Sequence, residues 1–165
     1  AESDLEADIE RTMRGFLYLI SGDALRNGDI KEPFDGHFPA GETLSQQLIS
    51  PPHLPEWITE EDLDFYVQQI SGSGFRGGLN WYRNINKIPA ITAPFLGSTI
   101  EQPSFYMGGA TDLIAGNTPE AISSMQQALG DLRHCEIIEG AGHWIQQECA
   151  SEVSSAMVAF LEGLN

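Results

Sequence analysis

Ser104-Phe105-Tyr106-Met107-Gly108-Gly109 and, further on, Cys135-Glu136-Ile137-Ile138 running into Gly140-Ala141-Gly142-His143-Trp144 decide how this chain is read. Each is a short apolar run closed by glycines, the pattern of a buried strand entering a tight turn. Between them Thr118-Pro119 offers a cap with proline at the first helical position, and Ile122, Met125 and Leu129 follow at helical spacing until Gly130. After the second run, Val153, Met157, Phe160, Leu161 and Leu164 mark a last helix. Residues 104–165 therefore read strand, helix, strand, helix, the α/β alternation of a parallel sheet covered by helices. Two parallel strands are marginal on their own, because such strands are normally buried on both faces. Further strands are expected from elsewhere, either from a longer polypeptide or from a second chain.

Open parallel sheets gather their ligands and catalytic groups beyond the carboxyl ends of the strands. Asp112 lies a few residues past the first run and His143 a few past the second, so both are expected on one side of the sheet. A histidine oriented by a carboxylate is the water-activating half of a hydrolytic triad. Taken singly, His143 also reads as a loop histidine satisfied by a backbone carbonyl, and Asp112 as a turn-forming aspartate. Their matched placement favours the catalytic reading. A nucleophile on a sharp turn is not found, and no Gly-x-Ser-x-Gly elbow occurs.

Upstream, Ser3-Asp4-Leu5-Glu6 has the reciprocal capping pattern, and Leu5, Ile9, Met13, Phe16, Leu17 and Ile20 predict one amphipathic helix ending at Ser21-Gly22. From Ser21 to Trp57 the prolines and glycines predict a long loop with short helical turns near Leu44 to Ile49. Thr59-Glu60-Glu61-Asp62 caps a second helix through Leu63, Tyr66, Val67 and Ile70 to Ser71-Gly72-Ser73-Gly74. A third is expected after Gly77-Gly78, with Leu79, Tyr82 and Arg83 on one face, and Asn86 to Pro103 reads as a boundary between layers.

The net charge of −16, from 24 acids and 8 bases, repels phosphate backbones and anionic bilayers, which argues against nucleic acid and membrane surfaces as partners. No apolar stretch is long enough to cross a bilayer, and the default expectation is a cytoplasmic protein. Cys135 and Cys149 lack the spacing of a metal or redox pair and are expected as free, mostly buried thiols. His37, His53 and His134 have no metal-ligand spacing and read as surface or turn histidines; no metal or cofactor is expected. Gly72-Ser73-Gly74 and Gly77-Gly78 follow no strand and precede no Lys-Ser/Thr, which argues against a nucleotide loop.

Phe65-Tyr66-Val67-Gln68-Gln69, Gly74-Phe75-Arg76-Gly77-Gly78-Leu79-Asn80-Trp81-Tyr82-Arg83-Asn84, Asp112 and Gly142-His143-Trp144-Ile145-Gln146 resemble the C-terminal part of soluble epoxide hydrolases of the α/β-hydrolase fold. The likeness runs, with gaps, over nearly the whole chain, and Asn80-Trp81-Tyr82-Arg83-Asn84 is its most specific piece. It implies a partial α/β-hydrolase fold: residues 1–100 as most of a helical cap, and residues 101–165 as the last two parallel strands and helices of the core. It matches Tyr82 to a cap tyrosine, Asp112 to the triad acid and His143 to the triad base, with Trp144 and Ile114 lining the pocket. The nucleophilic aspartate, the oxyanion hole and a second tyrosine would come from an N-terminal half of the same protein. Ala150 stands where the family often has proline.

The chemistry fits these residue types. A phenol stays protonated at neutral pH and can donate to the oxygen released when a carboxylate opens an epoxide. The resulting ester needs a water-activating base. Alternatives are a haloalkane or fluoroacetate dehalogenase, an ester hydrolase of the same fold, and a non-catalytic protein that captures a hydrophobic ligand. Tyr82 argues against the dehalogenases, which use other donors for halide.

Overall fold

Ten helices and two strands make up the described part of the chain in a computed structural model that describes residues 1–39, 41–112 and 116–164. The order is α1 (Glu2–Leu5), α2 (Ile9–Leu19), α3 (Gly22–Arg26), α4 (Leu44–Gln47), α5 (Glu60–Ser73), α6 (Arg76–Arg83) and α7 (Ile88–Thr92). Then follow β1 (Ile100–Gly109), α8 (Pro119–Ala128), β2 (Leu129–Ile138), α9 (Ile145–Glu148) and α10 (Ala150–Glu162), with single 3₁₀ turns on either side of α7. The contacts divide the chain into two compact units, one of Ala1–Phe16 with Phe38–Ser98 and one of Leu17–His37 with Thr99–Asn165.

In the first unit the single helix expected after Ser3 is two pieces. Asp8 restarts the helix: its Oδ1 accepts from Arg11 N at 3.0 Å, and the Thr12 hydroxyl donates to Leu5 O at 2.9 Å across the break. Leu5, Thr12, Leu48 and Leu63 are buried here, and the Arg14 guanidinium reaches Glu60 at 2.7 Å. The Thr59 cap of α5 closes as expected, its hydroxyl accepting from Asp62 N at 3.1 Å while Asp62 accepts from Thr59 N at 3.0 Å. Helix α5 ends at Gly74, whose φ of 66° lies in the region glycine tolerates. Helix α6 begins at Arg76, slightly before the position expected, and the segment read as a boundary coils into α7 and its flanking 3₁₀ turns.

In the second unit β1 and β2 are parallel, as expected, and both are longer than the apolar runs that announced them. Pairing runs from Ile100 opposite Leu129 to Gly109 opposite Ile138, with irregularities between Ile100 and Pro103 and between Ser104 and Phe105. Pro103 has no N–H to give the ladder, so its place at an irregularity follows from its chemistry. Helix α8 stops at Ala128 and β2 begins at Leu129, so Gly130 lies inside the strand rather than ending the helix. Ser21, read as a helix stop, also starts α3: its hydroxyl accepts from Asp23 N at 3.2 Å.

The core of this unit joins Ala141, Ile145 and Val153 with Met107, Ile138 and Cys149. Both cysteines are free and half-buried, and burial pushes the Cys149 thiol up. His134 is a strand residue rather than a turn histidine, stacked on Phe105 with ring centroids 4.7 Å apart. Among the described residues, no helix is long and apolar enough to cross a membrane.

Candidate active site

Two connections leave the carboxyl edge of the sheet, one after Gly109 and one after Ile138, and each is fastened to the other by backbone. Ala110 N donates to Ile138 O at 2.9 Å, and both the amide and the hydroxyl of Thr111 donate to Ala141 O, at 3.0 and 2.9 Å. This stitching delivers Asp112 to His143: Asp112 Oδ2 lies 3.0 Å from His143 Nδ1. Asp112 is 6% exposed, whereas a third of the His143 side chain is open. A neutral imidazole that donates from Nδ1 to this carboxylate carries its lone pair on Nε2. The arrangement can therefore take a proton from water and hold the resulting imidazolium beside a negative charge.

Glycine makes the close approach possible. A Cβ built on Gly109 would fall 2.2 Å from Gly142 O and 2.4 Å from Ala141 O, and one on Gly142 would fall 2.5 Å from Gly22 N. The obstructing atoms are all backbone, so no side-chain rotation relieves them. Gly109→Ala is accordingly expected to cost about 1–3 kcal/mol or more, through forced separation of the two connections. Urea unfolding of the protein with its remaining sheet present measures this; an unchanged midpoint would show that the connections have room.

The end of helix α2 supplies the other wall of the turn. Its last carbonyls have no partners within the helix. Leu17 O accepts from Trp144 Nε1 at 3.0 Å, and Ile20 O accepts from His143 N at 2.9 Å. The Trp144 ring meets the His143 ring edge-on at 4.9 Å. On the acid side, Tyr106 donates its hydroxyl to Asn117 Oδ1, and Asn117 Nδ2 donates to Gly109 O at 3.0 Å. Burial pushes the Tyr106 phenol up, and the Asp112 and Cys135 charges push it the same way.

The structure thus brings together Asp112, His143 and Trp144, three of the residues singled out from sequence. Tyr82 lies on α6 in the first unit, 70% exposed, and Ile114 lies outside the described residues. Sequence reasoning missed Glu148, whose carboxylate accepts from Gly22 N, Gly142 N and Trp144 N, each at 2.9 Å. It also missed the carbonyls of Leu17 and Ile20. No sequence pattern flags these contacts, because every Glu148 partner is a backbone amide, and the Gly22, Leu17 and Ile20 groups lie far from this turn in the chain. Among the described residues no cluster of His, Cys, Asp and Glu is arranged to hold a metal ion.

No protein-family model matches the chain. Epoxide hydrolase A of Mycobacterium tuberculosis is 36% identical over 164 residues, which is 99% of this chain and 49% of that protein. An epoxide hydrolase of Caballeronia sordidicola is 33% identical over 94% of this chain and 45% of its own length. The solved structure of an epoxide hydrolase from an endophytic Streptomyces superposes with a TM-score of 0.88 at 36% identity, covering 99% of this chain and 48% of that one. The chain spans about half the length of the curated relatives it matches. Sequence and fold agree that this chain belongs with the epoxide hydrolases of the α/β-hydrolase fold and matches their C-terminal half.

Proposed function

We propose that this chain is the base-bearing portion of an epoxide hydrolase that converts a small-molecule epoxide to a vicinal diol by cleaving the ring's ether bond. The observation that carries the reading is the 3.0 Å contact of Asp112 with His143 beyond the carboxyl ends of two parallel strands. In this reading residues 1–100 form most of a helical cap and residues 101–165 the C-terminal part of the core. An N-terminal half of the same protein, in one polypeptide or as a separate chain, supplies the nucleophilic aspartate, the oxyanion hole and a second tyrosine. The assembled protein works in the cytoplasm.

The reaction has two steps. A carboxylate oxygen attacks a ring carbon, the carbon–oxygen bond of the ring breaks, and the released oxygen takes a proton from a phenol, a role assigned to Tyr82. Water then attacks the carbonyl carbon of the ester and gives its proton to His143 Nε2, while Asp112 stabilises the imidazolium. The acyl–oxygen bond breaks, the departing diol oxygen takes the proton held on His143, and the proton left on the new carboxyl returns through solvent to the phenolate, restoring carboxylate, imidazole and phenol. Trp144 and Ile114 are assigned to the pocket lining.

The test is the protein completed by its N-terminal half, given styrene oxide in ¹⁸O-labelled water. In a single turnover the label is expected in the enzyme's carboxylate rather than in the diol, because water attacks the ester and not the epoxide. Binding without diol formation overturns the enzymatic reading in favour of a capture protein, and label in the first-turnover diol overturns the ester. Tyr82→Phe is expected to slow ester formation about 100-fold, the lower end of what a general acid contributes, because a second tyrosine remains. Rapid-quench measurement of the first step checks this, and an unchanged rate removes Tyr82 from the chemistry.

A further inference from the structure

The three consecutive amides that carry His143 are all held. Gly142 N donates to Glu148 Oε2 at 2.9 Å, His143 N to Ile20 O at 2.9 Å, and Trp144 N to Glu148 Oε1 at 2.9 Å. One carboxylate therefore grips the chain on both sides of the histidine. The same Oε2 also accepts from Gly22 N at 2.9 Å, across 126 residues of sequence, next to the Ile20 carbonyl that receives the histidine amide. Glu148 ends helix α9, whose first residue follows Trp144 directly, so the chain turns back to place this side chain beneath its own turn. The imidazole is held at the ring by Asp112 and at the backbone by Glu148 and Ile20.

We propose that Glu148 is a positioning residue for His143, fixing the peptide on either side of the base so that Nε2 meets the water that cleaves the ester. The inference rests on the two-step reading above. The job needs a carboxylate rather than an amide. Two oxygens with open lone pairs serve three N–H donors, whereas a glutamine offers one oxygen and sets an NH₂ group against a backbone N–H. Freed of the clamp, the turn can rotate about the His143 Cα, and a shift of about 1 Å at a reacting atom costs on the order of 100-fold in rate. The loss should fall on ester cleavage alone, because ring opening uses the nucleophile and the phenol and not this histidine.

The experiment uses the protein completed by its N-terminal half, with styrene oxide as probe, rapid quench and intact mass spectrometry. Glu148→Gln is expected to form the ester at close to the parental rate and to cleave it about 10- to 100-fold more slowly, so that a species heavier by one epoxide accumulates during turnover. Glu148→Asp, which keeps the charge on a shorter arm, is expected to show a smaller slowing of the same step, and it serves if the glutamine variant does not fold. Equal slowing of both steps would mean that Glu148 only supports the fold, and absence of accumulation in both variants would also overturn the assignment. His143→Gln separates the levels: if it traps ester while the Glu148 variants do not, only the Glu148 assignment falls. If it traps none, the two-step reading falls and takes this one with it.

Discussion

In the protein completed by its N-terminal half, His143→Gln consumes one epoxide per active site and then stops. Glutamine can still donate to Asp112 through its amide, so the 3.0 Å contact beyond the strand ends has a replacement and the turn retains its anchors on Ile20 and Glu148. What disappears is the lone pair at Nε2, and with it the group that takes a proton from water. General-base help is worth about 100- to 10,000-fold, and steady-state diol formation is expected to fall by that order. Ring opening draws on a carboxylate and a phenol and proceeds. The measurement is intact mass after mixing with excess epoxide: the protein should stay heavier by one epoxide while product release nearly ceases. Unchanged diol formation would remove His143 from the mechanism, and loss of the ester as well would place it in the first step instead.

That pair was open to sequence reasoning for a simple reason. Asp112 and His143 each follow an apolar run closed by glycine, and in a parallel sheet two such positions are forced to the same edge. The limits of the runs were less legible. Pro103 and Gly130 punctuate the sequence, yet both lie inside strands, because pairing from Ile100 opposite Leu129 is set by the neighbouring strand rather than by local preference. The break between α1 and α2 was hidden by an apolar stripe that continues across it, and only the Asp8 and Thr12 side-chain bonds reveal where the helix restarts. Ser21 concealed α3, since the residue that ends one helix caps the next. Glu148 was beyond reach altogether. A glutamate in a polar stretch looks solvated, and its role depends on three backbone amides, one of them on the far side of the sequence.

A polypeptide limited to these residues is expected to melt without a cooperative transition. Within the second unit the described sheet has two strands, β1 and β2, paired only to each other. Parallel strands are stable when covered on both faces and flanked by further strands, and a lone pair is marginal in water. The last helix shows the same shortage: Met157, Val158 and Leu161 of α10 are exposed, as is Ile100 at the start of β1. In the first unit Trp81 and Leu96 are each 82% exposed, and Ile91 and Phe95 are exposed as well. Apolar groups on this scale contribute stability only when removed from water, at about 25 cal/mol for each Å². Calorimetry of the isolated chain should give a broad slope whose van't Hoff and calorimetric enthalpies disagree. Addition of the N-terminal half should convert that slope into one sharp transition, because the new strands extend the sheet and the new surface covers these side chains. A sharp two-state transition of the isolated chain would show instead that its own helices and two strands suffice, and that the second half contributes a nucleophile but not a fold.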